Sequence, residues 1–222
     1  RKVSREYMKT LCGMGIPMGL QYSITAIGSV ILQSAVNTLG SDAVASMTAG
    51  SKIAMFFCCP FDALGSTMAT YGGQNVGAGK IDRISAGLKS CSILGIGYSI
   101  LAFIVLLFTG EYLAMFFVSN ASAEVISNAH LFLIINSAFY IPLAFVNIVR
   151  FLIQGMGYSK FAILAGVFEM VARTLVGFAF VPVFGFTAAC FASPVAWIFA
   201  DIFLFPAYFH VFKKTKRMLA SN

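Results

Sequence analysis

Glu169 and Arg173 lie four residues apart inside a stretch of otherwise apolar residues. Acid before base at that spacing is the favourable order for an ion pair on one helix face. Two charges so placed must face protein or water rather than hydrocarbon. A fixed structural pair meets that requirement, and so does a carboxylate that loads and releases a proton or exchanges it for a cation. Asp62 and Asp201 are the other acids within long apolar runs. With Glu169 and Arg173 they complete a set of four ion-coupling candidates. Asp201 is one helical turn from Trp197, the only tryptophan, which suits a face that stacks aromatic cations.

Uncharged polar residues recur at helical spacing. Gln33 and Asn37 are one turn apart, with Gln21 farther along the same run, while Asn136, Tyr140 and Asn147 fall at i, i+4 and i+11. Gln33, Asn37, Asn136, Tyr140, Asn147 and Trp197 are candidates to line a substrate cavity. Hydrogen bonding between helices would account for the same pattern.

Catalytic and cofactor chemistry finds no comparable arrangement. His130 and His210 have no cysteine, histidine or carboxylate at metal-ligand spacing. The five cysteines form no CxxC pair and all fall in or beside apolar stretches, as small core residues do. No GxSxG is present, and GGQNVGAGK (72–80) lacks the GxxxxGK[ST] of a phosphate loop. The expectation is a protein that is not an enzyme and carries no cofactor or metal. GGQNVGAGK then reads as a tight turn between antiparallel helices.

These residues need a scaffold, and the composition dictates which. The chain has 222 residues, 59% hydrophobic and only 10% charged, with a mean hydropathy of +0.87. A soluble domain carries roughly 25% charged residues. This chain cannot coat its outside with polar groups, so an all-α integral membrane protein is expected and a soluble enzyme or nucleic-acid-binding domain is not. Apolar runs predict six spans at about 11–37, 45–71, 88–108, 125–153, 161–184 and 188–212. Residues 1–10 precede this transmembrane bundle as a basic cytoplasmic or interfacial segment, and 213–222 follow it as a basic tail.

Thirteen of the fifteen basic residues fall on alternate connections: the N-terminus, Lys80 to Lys89, Arg150 with Lys160, and the tail. The positive-inside rule then predicts both termini in the cytoplasm, in the inner (plasma) membrane. Val3, Tyr7 and Leu11 are spaced for a short helix on the membrane surface, and KKTKRM for an anchor against anionic lipid. Pro17, Pro60, Pro142 and Pro194 each fall within a different span and would kink it. Gly15 and Gly19 form a GxxxG that would admit a close neighbour.

With these residues laid out, the chain resembles one half of a multidrug and toxic compound extrusion (MATE) transporter, and most of all its C-terminal lobe. The carrying segments are GIPMGLQYS (15–23), NTLGSDAVA (37–45), ALGSTMATYGGQNVGAGKIDR (63–83), RFLIQGMGYSK (150–160), FEMVAR (168–173) and FGFTAACFASPVAWI (184–198). The resemblance implies a twelve-helix exporter of two six-helix lobes around a cavity open alternately to either side. Efflux of small organic compounds would be driven by inward H⁺ or Na⁺. The partners implied are the lipid bilayer, the missing N-terminal six-helix lobe and the substrate, with no nucleic acid. In several family members acids on the first and fourth spans of this lobe bind the coupling cation. Here those spans hold Gln21, Gln33, Asn37, Asn136 and Asn147 instead, which directs attention to Glu169. A lipid-linked saccharide flippase would need a cationic cavity, for which only Arg173 and Lys52 are in view. A non-transporting membrane subunit or fragment is the third reading.

Overall fold

In hydrocarbon every backbone N–H and C=O must find its partner within the chain, which leaves helices as the economical solution for apolar runs of this length. The computed structural model describes residues 5–117 and 122–220, and among them there is no strand. The helices are α1 (Arg5–Asn37), α2 (Ser41–Gly77), α3 (Ile81–Phe117), α4 (Ala123–Ala138), α5 (Tyr140–Gly155), α6 (Ser159–Leu175) and α7 (Val181–Ala220). A five-residue π-helix, Val176–Phe180, joins the last two. Four helical stretches are long and apolar enough to cross a bilayer, and the pair α4–α5, bent by 54°, makes a fifth.

Glycine ends or reverses the helices where the chain must turn. At the end of α2, Gly79 has φ 68, Lys80 N–H donates to the Asn75 carbonyl (2.8 Å) and Gly79 N–H to that of Val76 (3.0 Å). The same paired bonds close α5, from Tyr158 to Ile153 and from Gly157 to Gln154, with Gly157 at φ 93. Both are Schellman ends, which need a left-handed residue that glycine supplies without a Cβ clash. The turn expected across 72–80 is therefore shorter than its glycines suggest, because the helix continues through Gly77.

Gly185, at φ 63 and ψ −143, breaks the helical run of α7. Phe168 stacks on Phe203 (5.0 Å between ring centroids) and Phe161 lies beside His210 (6.2 Å). Residues equidistant from position 185 thus lie side by side, and the run folds back there as a hairpin.

Three local expectations are corrected. Residues 5–37 form one continuous helix with Tyr7 and Leu11 exposed, so no separate surface helix exists among the described residues, and Val3 lies outside them. Gly15 and Gly19 meet no atom within 4 Å of where a Cβ would sit, so their GxxxG packs against nothing among the described residues. Of the four prolines named above, only Pro142 accompanies a break. Phe139 interrupts the helix just before it, where proline's missing N–H leaves a carbonyl of the preceding turn unpaired.

Packing centres on α5, whose side chains are buried without interruption from Val146 to Ile153. It crosses α2 at close range: Gly65 takes the Phe151 ring, Gly72 takes Leu152, and Gly155 lies directly on the Ala69 backbone. The outside of the bundle is apolar. Phe56, Phe108, Phe116 and Val183 are each at least 69% exposed, a surface suited to hydrocarbon rather than water.

The basic segments gather at one end. Lys216 pairs with Asp82 (3.0 Å), joining the tail of α7 to the start of α3. Lys214 lies over the Tyr158 ring, beside the α5–α6 turn.

Candidate functional site

Small residues bring α1 and α6 together. The α-carbon of Met170 lies 3.1 Å from where a Gly28 Cβ would stand, and Gly166 lies beside the Gln21 carbonyl at 3.6 Å. This approach sets Gln21 beside Gly166 and brings the Arg173 side chain against Gly28, so that both border one cavity. From the other side, α5 delivers Arg150 to the same place.

Glu169 stands between two arginines. Its Oε1 forms an ion pair with Arg150, and its Oε2 accepts from Arg173 Nη2 at 3.3 Å. The three side chains are between 4% and 8% exposed. Charges this deep persist only when paired, since the desolvation of an unpaired ion costs several kcal/mol.

The cluster borders a cavity of about 200 Å³, lined also by Gln21, Tyr22, Cys58, Asp62, Asn147 and Trp197. Several hydrogen-bonding atoms around it are unspent. Arg150 Nε and Arg173 Nη1 have no acceptor, and Gln21 Oε1 and Asp201 Oδ1 have no donor. Buried polar atoms are normally satisfied, so the donors and acceptors left over here leave this cavity able to hydrogen-bond a polar group. Asp62 is exposed, Asp201 is buried one turn along α7 from Trp197, and both lie within electrostatic reach of Arg150.

Of the candidates named from sequence, Glu169, Arg173, Asp62, Asn147 and Trp197 meet at this cavity, while Asp201 is outside its lining but within electrostatic reach of Arg150. The other four stand outside its lining. Gln33 Nε2 donates to Asn37 Oδ1 (3.0 Å) within α1. Asn136 donates to the Phe132 carbonyl (2.9 Å) and to that of Cys190 (3.3 Å), tying α4 to α7. Tyr140 is fully buried between the rings of Phe61 and Trp197.

Arg150 is the site residue that sequence reasoning misplaced. Counted as a flanking positive charge, it is instead 6% exposed on the most buried helix. The signal was present: the apolar run continues past it to Ile153, and the turn comes only at Gly157.

Known proteins share this architecture. A chain crystallised as MATE in complex with MaL6 superposes with a TM-score of 0.86 at 15% identity, covering 97% of this chain and 49% of that one. A MOP superfamily transporter from Pyrococcus furiosus, described as having a binding pocket of reverse polarity, gives 0.80 at 18% identity, over 92% and 47%. Among curated relatives, the probable multidrug resistance protein YpnP of Bacillus subtilis (strain 168) is 27% identical over 136 residues, 61% of this chain and 30% of its own length. YoeA of the same organism, also a probable multidrug resistance protein, is 23% identical over 160 residues, 70% and 33%. The chain thus spans about a third of those relatives and about half of the solved structures. The MatE family model matches residues 17–179, most of its length. This multi-pass membrane chain belongs to the MatE family.

Proposed function

We propose that the chain is the C-terminal lobe of a secondary-active antiporter that exports cationic or amphipathic organic compounds in exchange for H⁺ or Na⁺. It would cross the inner (plasma) membrane six times with both ends in the cytoplasm, beside an N-terminal six-helix lobe. The observation that carries this reading is Glu169, held between Arg150 and Arg173 on the wall of a cavity that also presents Asp62 and Trp197.

In this mechanism Glu169 takes up the coupling ion. A proton or Na⁺ on the carboxylate weakens its hold on the two guanidiniums, which turn to their unspent acceptors, Gln21 and Asp201. Asp62 and Trp197 receive the cationic, aromatic substrate. On α2 the exposed stripe Asp62, Ser66, Thr70 and Gln74 repeats every four residues, a polar face for the substrate path where lipid would be costly. Exchange needs only that ion and substrate bind the two conformations unequally. The decisive variant is Glu169→Gln in the full-length protein. Efflux that loses its ion dependence supports the reading, and efflux with its ion dependence intact refutes it.

Arg150 gives the flippase reading a second deep cation beside Arg173. Three carboxylates, Glu169, Asp62 and Asp201, offset those two charges, which favours export of cations. Transport of a pyrophosphate-linked lipid that depends on Arg150 and Arg173 but not on Glu169 would reverse this preference.

A further inference from the structure

The basic end of the bundle carries a concave feature that transport does not use. A hollow of about 410 Å³ opens between α1, the α5–α6 turn and α7, lined by Pro17, Tyr158, Ser159, Lys160, Phe161 and Lys214 among others. A second, of about 440 Å³, adjoins it through Lys214 and is lined by His210, Lys213, Arg217 and Met218. No acidic residue lines either among the described residues.

Two facts separate this place from a generic basic rim. First, Lys160 and Lys214 come from different helices and flank one groove, with the Lys214 ammonium held 5.4 Å from the Tyr158 ring centroid. Second, the groove floor is apolar: Pro17 and Phe161 are half-buried there, and both belong to helices that run on into apolar surface. The α2–α3 end has comparable charge in Lys80, Arg83 and Lys89, yet the hollow beside it is lined by Ser66, Thr67, Thr70, Tyr71 and Gln74.

We propose that this groove is a binding site for an anionic phospholipid, its phosphate between Lys160 and Lys214 and its acyl chains laid along Pro17 and Phe161 toward the bilayer core. Basic pockets between helices on the cytoplasmic side are suited to such headgroups. The apolar floor selects a lipid over a soluble phosphate, because the latter would leave that surface uncovered. The site is independent of the antiport reading and stands even if that reading fails.

The test reconstitutes the full-length protein in phosphatidylcholine vesicles with a trace of photoactivatable phosphatidylglycerol, and maps the crosslinked peptides. Labelling is expected at Pro17, Tyr158–Phe161 and Lys214. The pair K160Q/K214Q should lower it on the order of tenfold, K160R/K214R should keep it, and K80Q/R83Q/K89Q should leave it nearly unchanged. All five lysines and arginines are exposed, so a folded protein is expected in each case. The proposal is overturned if the α2–α3 variant loses as much label as K160Q/K214Q, if photoactivatable phosphatidylcholine labels the same peptides equally, or if inorganic phosphate displaces the label.

Discussion

Asn136 on α4 and Arg150 on α5 are both buried polar side chains in apolar surroundings, yet their hydrogen-bonding accounts differ. Asn136 donates to two carbonyls, one on its own helix and one across to α7. Ser46 and Ser99 likewise donate to carbonyls of their own helices. Arg150 reaches Glu169 and leaves Nε unmatched, beside further unmatched atoms on Gln21, Arg173 and Asp201. A polar residue at membrane depth is therefore weak evidence of a working site by itself. What separates the two groups is whether the hydrogen-bonding capacity is used up by the fold.

The sharpest way to break that comparison is Arg150→Met. It strips Glu169 of one partner and leaves a buried carboxylate with only Arg173, so a stability loss of about 3–5 kcal/mol is expected, read as thermal unfolding in detergent. The double variant R150M/E169Q removes both charges and should recover much of that loss. If R150M alone unfolds like the parent protein, the Arg150–Glu169 pair does not stabilise the fold. A smaller effect is expected from Arg173→Met, about 1–3 kcal/mol, since Arg173 is a neighbour on Glu169's own helix while Arg150, which ties α5 to α6, remains. Asn136→Leu tests the other group: about 1 kcal/mol of stability should go with the α4–α7 hydrogen bond. Ion dependence of efflux in the full-length protein should not change, and a shift there would move Asn136 into the working group. Smallest of all is Gln33→Leu, expected within ~0.5 kcal/mol, because the Gln33–Asn37 bond is exposed and local to α1.

How much of this was legible in the sequence depended on how local the signal was. The Glu169–Arg173 pair could be read directly, because an i, i+4 spacing needs only one helix. The all-helical membrane class followed from composition, and the breaks between apolar runs contain Gly40, Gly79, Gly157 and Gly185, where φ is positive. Arg150 was lost to a different rule: near the end of a span, a lone arginine looks like an anchor, and only its helix's position at the centre of the bundle makes it interior. Asn136, Tyr140 and Asn147 share a face by arithmetic on a straight helix. The 54° bend at Phe139 divides them, leaving Asn147 at the cavity while the other two pack. Gly28 and Gly166, which seat α6 on α1, belong to no sequence motif at all, since each is read by the neighbouring helix rather than by its own.

The reversal at Gly185 carries a mechanical corollary. A connection this short has no slack, so the arm bearing Glu169 and Arg173 and the arm bearing Trp197 and Asp201 are hinged end to end like the blades of tweezers. Phe168 on the first arm stacks on Phe203 of the second, so a tilt of either arm strains that contact. Under the antiport proposed above, the grip on an ion and the grip on an aromatic guest would be linked through that stack.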